Sequence, residues 1–72
     1  MSFAGYLTNI EAKTGRSADQ LRSAAAERGL ATDKGLAEGV KAGQVVAWLK
    51  EDFDLGHGHA MAIVAYLKGK RP

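Results

Sequence analysis

The chain has 72 residues, no cysteine, and ten lysine and arginine side chains against eight aspartates and glutamates, so its formal net charge is +2. A chain of this length forms one domain, residues 1–72, and buries only about 60% of the surface that it exposes when unfolded, which leaves little room for an enclosed active site. The lack of cysteine excludes disulfides and thiolate zinc sites, and the small net charge excludes attraction of polyanions over the whole surface.

The first predicted helix covers about residues 3–13. Apolar side chains recur there at i, i+3, i+4 and i+7, which is the spacing of one helix face: Phe3, Tyr6, Leu7 and Ile10. Ser2 can cap the start of this helix, and Gly15 can supply the left-handed residue after its end.

A second helix is predicted from about residue 18 to residue 28. Ser17 and Gln20 have the spacing of a capping box, in which each side chain accepts a hydrogen bond from the backbone N–H of the other residue. Gly29 can stop this helix, and Leu30 can pack back onto it.

Residues 30–41 have weak periodicity and contain Gly35 and Gly39, which predicts an irregular connection with room for one helical turn. We expect Leu36 and Val40 to anchor this connection to the core.

A third helix is expected to begin at Ala42 or Gly43. Its apolar positions form a broad face: Val45, Val46, Trp48, Leu49 and Phe53. The spacing of Trp48 and Phe53 favours core packing for both rings, and stacking on a nucleic-acid base is the minor alternative.

Gly56 is expected to end the third helix, and Gly58 or His59 to begin a fourth that is apolar on nearly every side over residues 60–67. Such a helix is either the centre of the domain or partly covered by a partner. The face with the large apolar side chains consists of Ile63, Val64 and Leu67. The sequence therefore predicts an all-α fold, a compact bundle of about four short helices.

The link before the fourth helix contains Gly56, His57, Gly58 and His59. The glycines let the chain bend back, and the first amides of a helix have no intrahelical acceptor, so they can face an anion. This Leu-Gly-X-Gly turn between two helices, followed by Ala62, resembles the helix-hairpin-helix motif. That motif is a nonspecific DNA-binding element whose turn amides hold a phosphate, so the last two helices are expected to form a helix-hairpin-helix-like unit.

A second resemblance covers almost the whole chain. It rests on residues 6–15, residues 46–50 and residues 55–63, of which the segment Gly-His-Ala-Met at 58–61 is the most specific part. These segments resemble the unknown-function domain family 4287, a family of short bacterial domains. The resemblance implies the same fold and an important turn, and it implies no particular activity.

The leading hypothesis is a noncatalytic binding module that holds nucleic-acid phosphate weakly and without sequence specificity, at roughly two or three phosphates. The candidate ligand-binding residues are the turn and the nearest cations: Gly56, His57, Gly58, His59, Lys50, Lys68, Lys70 and Arg71. The neighbouring carboxylates of Glu51, Asp52 and Asp54 repel phosphate and limit the affinity. For the basic tail, residues 68–72, the usual behaviour of termini favours a solvated, frayed end over a role in binding.

The competing hypothesis is a protein-interaction module or small homodimer that uses the apolar surface of the fourth helix. It predicts that Ile63, Val64 and Leu67 are buried against a second chain.

The sequence allows three hypotheses for His59. His59 either fixes the turn as a satisfied polar group, contacts an anion or partner, or binds a metal, whereas His57 is expected to face solvent. With Asp52 and Asp54 as the nearest carboxylates, the histidines fall short of the convergent ligands that a metal site needs. The serines are expected to be cap or surface residues, so we expect no catalytic residue, no metal and no cofactor.

Two features predict a soluble, cytoplasmic protein without a membrane partner. The first residues lack the basic stretch, apolar core and cleavage site of a secretory signal. The longest unbroken apolar run, residues 60–67, is far shorter than the roughly 20 residues that cross a bilayer.

Overall fold

The computed structural model describes residues 2–72, and the elements below belong to that part of the chain. In chain order they are α1 (Phe3–Thr14), α2 (Ala18–Glu27), β1 (Ala31–Thr32), β2 (Gly35–Leu36), α3 (Ala42–Phe53) and α4 (His57–Leu67). The prediction of a compact, mostly helical domain with four helices is confirmed. None of the helices in residues 2–72 has both the length and the apolar character needed to cross a membrane.

Local capping contacts define the ends of the first two helices. The Ser2 side chain accepts from the Gly5 amide, and Gly15 follows α1 in the left-handed conformation, at φ 73°. At the start of α2, the side chains of Ser17 and Gln20 complete the reciprocal capping box. The structure confirms these predicted caps. They could be predicted because each depends on residues only three or four positions apart.

The connection between α2 and α3 contains a short antiparallel β-hairpin, which the sequence interpretation did not include. Ala31 pairs with Leu36 and Thr32 pairs with Gly35, and the single helical turn that the sequence allowed for does not form in residues 30–41. Gly35 has φ 130°, a backbone conformation that side-chain-bearing residues rarely adopt. Leu36 and Val40 pack against the core as predicted.

The link between α3 and α4 differs from the predicted glycine-hinged turn. Asp54 ends α3 in the left-handed conformation, at φ 54°, and its amide donates to the Leu49 carbonyl. Gly56 is extended, at φ −72° and ψ 169°, and precedes α4, which begins at His57. The prediction that Gly56 ends α3 is therefore wrong, and so is the prediction that α4 begins at Gly58 or His59. Aspartate can take the left-handed position because its short polar side chain lowers the steric cost there.

Helix α4 lies at the centre of the domain and packs against α1, α2 and α3. Ile63 is completely buried, and Val64 and Leu67 are 2% and 3% exposed. Their neighbours in the core include Ile10, Leu21 and Leu49, one from each surrounding helix. Helix α4 is therefore enclosed by the other helices, which was the first of the two alternatives. Its large side chains, Ile63, Val64 and Leu67, offer no free surface for a second chain.

The two large aromatic side chains of α3 pack as predicted. Trp48 is buried, and its ring meets the half-buried ring of Phe53 edge to face, with centroids 5.4 Å apart. The Arg16 guanidinium lies 5.5 Å from the centroid of the Phe53 ring. These contacts involve both rings in the packing of the domain, which argues against base stacking.

Candidate functional site

The first turn of α4 is open. Gly56 precedes the helix and has no side chain that could cap it, and the first helical hydrogen bond runs from the Ala60 amide to the Gly56 carbonyl, at 2.9 Å. The amides of residues 57–59 therefore precede the first intrahelical donor and point out of the helix end. A helix start of this kind carries a partial positive charge and favours an anion.

Helix α3 provides an internal comparison because its start also lacks a side-chain cap. There the Gln44 side chain accepts from the Lys41 amide, at 2.7 Å, and the Gln44 amide donates to the Lys41 carbonyl, at 3.0 Å. Gly43 in α3 and Gly58 in α4 are both the second residue of their helix, and at both positions an added Cβ would meet no atom within 4 Å. The start of α4 differs from that of α3 by its two imidazoles, and His59 takes the third helical position, where α3 has Gln44.

The two histidines face different surroundings. His57 is exposed, as predicted, whereas His59 is half-buried, with its ring edge-on to Tyr6 of α1 and the centroids 5.5 Å apart. This contact ties the first turn of α4 to α1 through the two rings, and the three hypotheses for His59 stay predictions. Within residues 2–72, no group of three or more histidine, aspartate or glutamate side chains is arranged to hold a metal ion.

The charges closest to the turn are mixed. One of the three predicted carboxylates, Asp52, pairs with Arg28 across 3.6 Å, which partly offsets its negative charge. Glu51 and Asp54 are exposed, and so is the cation Lys50 in the last turn of α3. An exposed ion pair contributes little stability, but it lowers the repulsion that an arriving anion meets.

The basic tail lies at the opposite end of α4 from the turn. Lys68 follows the last residue of the helix, and the 12 residue steps from Gly56 to Lys68, at 1.5 Å each, put their backbones about 18 Å apart. The candidate residues of the turn and the backbone of the basic tail therefore lie at opposite ends of α4.

The tail folds back onto the domain and does not fray. The Arg71 guanidinium stacks 3.9 Å from the centroid of the Tyr66 ring, and Nη1 donates to the carbonyls of Tyr66 and Lys70, at 3.0 and 2.8 Å. Lys70 Nζ lies 4.8 Å from the centroid of the Phe3 ring. Aromatic faces attract these cations, so the prediction that the tail frays is wrong, whereas its residues 68–72 are all exposed, as predicted.

A polar contact between α4 and α2 was not predicted from the sequence. The hydroxyl of the buried residue Tyr66 donates to Asp19 Oδ1, at 2.5 Å, in a partly buried hydrogen bond. This hydrogen bond is the main reason that the pKa of Tyr66 is raised, followed by burial and the negative charge of Asp19, while Arg71 and Arg22 act in the opposite direction. An open pocket of about 330 Å³ adjoins these groups, and Tyr66, Asp19 and Arg71 already bond within the chain. We therefore interpret this cluster as a structural clasp.

A second open pocket of about 300 Å³ lies between α1 and α4. It begins beside the open turn at Gly58. It also contains Met61, which is 39% exposed and is the one large apolar residue among residues 2–72 that is exposed to that extent. The full lining is Phe3, Tyr6, Gly58, Met61, Ala62, Ala65 and Lys70. We call this feature the α1/α4 groove.

The fold defines a small, mostly helical domain built around one central helix. The chain belongs to the family described as domain of unknown function (DUF4287), whose model matches residues 2–69. This confirms the family resemblance of the sequence. The comparison with curated proteins found no match, and neither did the comparison with solved structures. The family match does not identify a helix-hairpin-helix motif, a bacterial source or a cellular compartment, so these stay predictions.

Proposed function

We propose that this domain is a noncatalytic module that binds nucleic-acid phosphate at the start of α4, without sequence specificity. The observation that carries the proposal is the open first turn of that helix, where no side chain occupies the cap position. The amides of residues 57–59 supply the donors, and the exposed imidazole of His57 stands next to them.

Access to the turn supports this proposal. At Gly58 a Cβ would meet no atom within 4 Å, so a phosphate oxygen has room to approach the backbone. The pairing of Asp52 with Arg28 weakens one source of repulsion near the site.

A polymer suits this site better than a small ligand does. Small molecules bind in concave sites that enclose most of their surface, whereas the turn residues Gly56, His57 and Gly58 are all exposed. A nucleic-acid strand presents phosphates on either side of the one that is bound, and their electrostatic attraction adds to a weak local contact. Because the tail lies at the far end of α4, we expect only one or two phosphates at the turn, a Kd of about 100 µM at low salt, and a log Kd against log salt slope of about 1–2.

Fluorescence polarisation with labelled duplex and single-stranded DNA tests this proposal, with Gly58→Ala as the diagnostic variant. An added methyl group at Gly58 meets no atom within 4 Å, and alanine is a better helix former than glycine, so the fold is retained. We expect the methyl group to obstruct a phosphate that approaches the backbone at Gly58 and to weaken binding about fivefold. The matched control is Gly43→Ala, which makes the same change at the same position of α3.

The two variants together decide the outcome. Weaker binding by Gly58→Ala alone, with unchanged circular dichroism, supports a site at α4. No measurable binding at about 1 mM protein, or equal effects of Gly58→Ala and Gly43→Ala, would remove the turn as the binding site.

A further inference from the structure

The α1/α4 groove is a surface that the proposed phosphate site does not use. One wall is formed by the half-buried rings of Phe3 and Tyr6, the other by the side chain of Met61, and the floor by Ala62 and Ala65. The groove therefore exposes apolar side chains along about two turns of α4, from Gly58 to Ala65, over a length of about 10 Å.

The charged side chains that flank the groove along α1 and α4 are cations, and the exposed carboxylates of Glu51 and Asp54 are near the turn where the groove begins. Lys70 is the charged residue of its lining, and it lies against the Phe3 ring at one end. Lys68 is exposed and lies on the Met61 side of α4, seven residues after Met61. On α1, Lys13 follows Tyr6 by seven residues and lies on the same side of that helix. No aspartate or glutamate contributes to the lining within residues 2–72.

We propose that the α1/α4 groove binds a short amphipathic helix of a partner protein, with carboxylates flanking its apolar stripe. The small residues of the floor let a second helix approach closely, and an apolar stripe at i, i+3 and i+7 matches a groove of two turns. The carboxylates of that helix complement Lys70 at the end of the groove and the neighbouring lysines on its rim.

The pocket beside Tyr66 and Asp19 is a poorer candidate for binding a partner helix than the α1/α4 groove. Its polar side chains, among them Asp19, Tyr66 and Arg71, already bond to one another or to the backbone. A ligand there would have to break contacts that hold α2, α4 and the tail together. In the α1/α4 groove a ligand covers side chains that are now partly exposed.

The test uses a labelled helical peptide of about 16 residues, with leucines at i, i+3 and i+7 and glutamates at the flanking positions. Fluorescence anisotropy compares it with a peptide that carries lysines in place of the glutamates and with a scrambled acidic peptide. We expect the acidic helix to bind about tenfold more tightly than either comparison peptide, and to shift the NMR signals of Phe3, Met61 and Ala65.

Two variants locate the binding. Met61→Glu places a carboxylate in the groove at a partly exposed position and should weaken binding of the acidic peptide at least tenfold. Ala47→Glu introduces the same charge at an exposed position of α3 and should leave binding close to its original value.

Three outcomes would overturn the inference. These are equal binding of the acidic and basic peptides, an equal effect of the two glutamate variants, or signal shifts confined to residues outside the groove. If sedimentation shows that the chain dimerises and that Met61→Glu makes it monomeric, the occupant is a second copy and the acidic partner is excluded. Failure of the DNA assay leaves this result unaffected, because the peptide assay contains no nucleic acid.

Discussion

Replacing Tyr66 by phenylalanine removes one hydroxyl group from the contact between α4 and α2 and leaves the ring in place. The hydroxyl donates to Asp19 Oδ1 at 2.5 Å, and the Tyr66 side chain is only 7% exposed. A hydrogen bond to a charged group contributes roughly 1.5–3 kcal/mol. Because Asp19 is exposed and regains water when the bond is lost, we expect the low end, a decrease of about 1–2 kcal/mol in the free energy of unfolding.

The same bond gives the stability a dependence on pH. The hydrogen bond to Asp19, burial and the charge of Asp19 raise the pKa of Tyr66 above its ordinary value of 10.0. A group with a higher pKa in the folded state stabilises the protein fully below its unfolded pKa, and this contribution disappears as the pH rises through the folded pKa. The stability difference between the unaltered chain and Tyr66→Phe should therefore be constant near neutral pH and shrink above about pH 10.

Urea denaturation followed by the fluorescence of Trp48, which is 5% exposed, measures this difference. At pH 7 the variant should unfold at lower urea with an unchanged slope, and its Tm should fall by about 4–15 °C. The control is Tyr6→Phe, which removes the hydroxyl of the other, half-buried tyrosine and should change stability little. Equal stability of Tyr66→Phe and the unaltered chain, or a difference that persists undiminished up to about pH 11, would refute the reasoning.

Two further changes test the packing and the caps. Ile63→Ala empties a completely buried position in the central helix and should cost about 2–5 kcal/mol, enough to unfold much of so small a domain, as circular dichroism at 25 °C would show. A fully folded Ile63→Ala variant would contradict the central position of α4. Ser17→Ala removes one half of the capping box and should lower the free energy of unfolding by about 1 kcal/mol in urea, whereas Ser17→Thr should retain most of it. An unchanged urea midpoint for Ser17→Ala would show that this cap does not stabilise the domain.

The sequence predicted best those parts of the fold that depend on short-range contacts. The limits of α1 and α2 were predictable to within one residue, since Ser2, Gly15 and Ser17 act on backbone groups only a few positions away. The burial of Trp48 and Ile63 was also predictable, because helical spacing alone assigns them to apolar faces.

The parts that the sequence did not predict depend on tertiary packing. The strands β1 and β2 have two residues each, too few for any alternation of apolar and polar positions to be visible. The left-handed position after α3 falls at Asp54, one residue before the buried Leu55 and two before the glycine that normally takes such a role. The clasp joins Asp19 to Tyr66 across 47 positions, and no local pattern marks such a pair.

The candidate site was predictable in part. The sequence identified the turn before α4 and its two histidines, but it grouped them with Lys68, Lys70 and Arg71, whose backbone lies at the other end of α4, about 18 Å from Gly56 at Lys68. The contact between His59 and Tyr6 was not predictable from the sequence, because it requires α1 to lie beside the start of α4.

The central position of α4 restricts where this domain can bind anything. Residues such as Ala60 and Ile63 are fully buried, so they can affect a ligand only through the fold. The accessible part of the helix consists of its first turn, at His57 and Gly58, and of the Met61 side that borders α1. The first offers backbone donors for an anion, and the second offers apolar contact beside cations. Gly58 borders both surfaces, so a variant there can affect both kinds of binding, whereas Met61 lies one turn further along in the groove. A Met61 variant that weakens helix binding and leaves phosphate binding unchanged would therefore show that the two surfaces act separately.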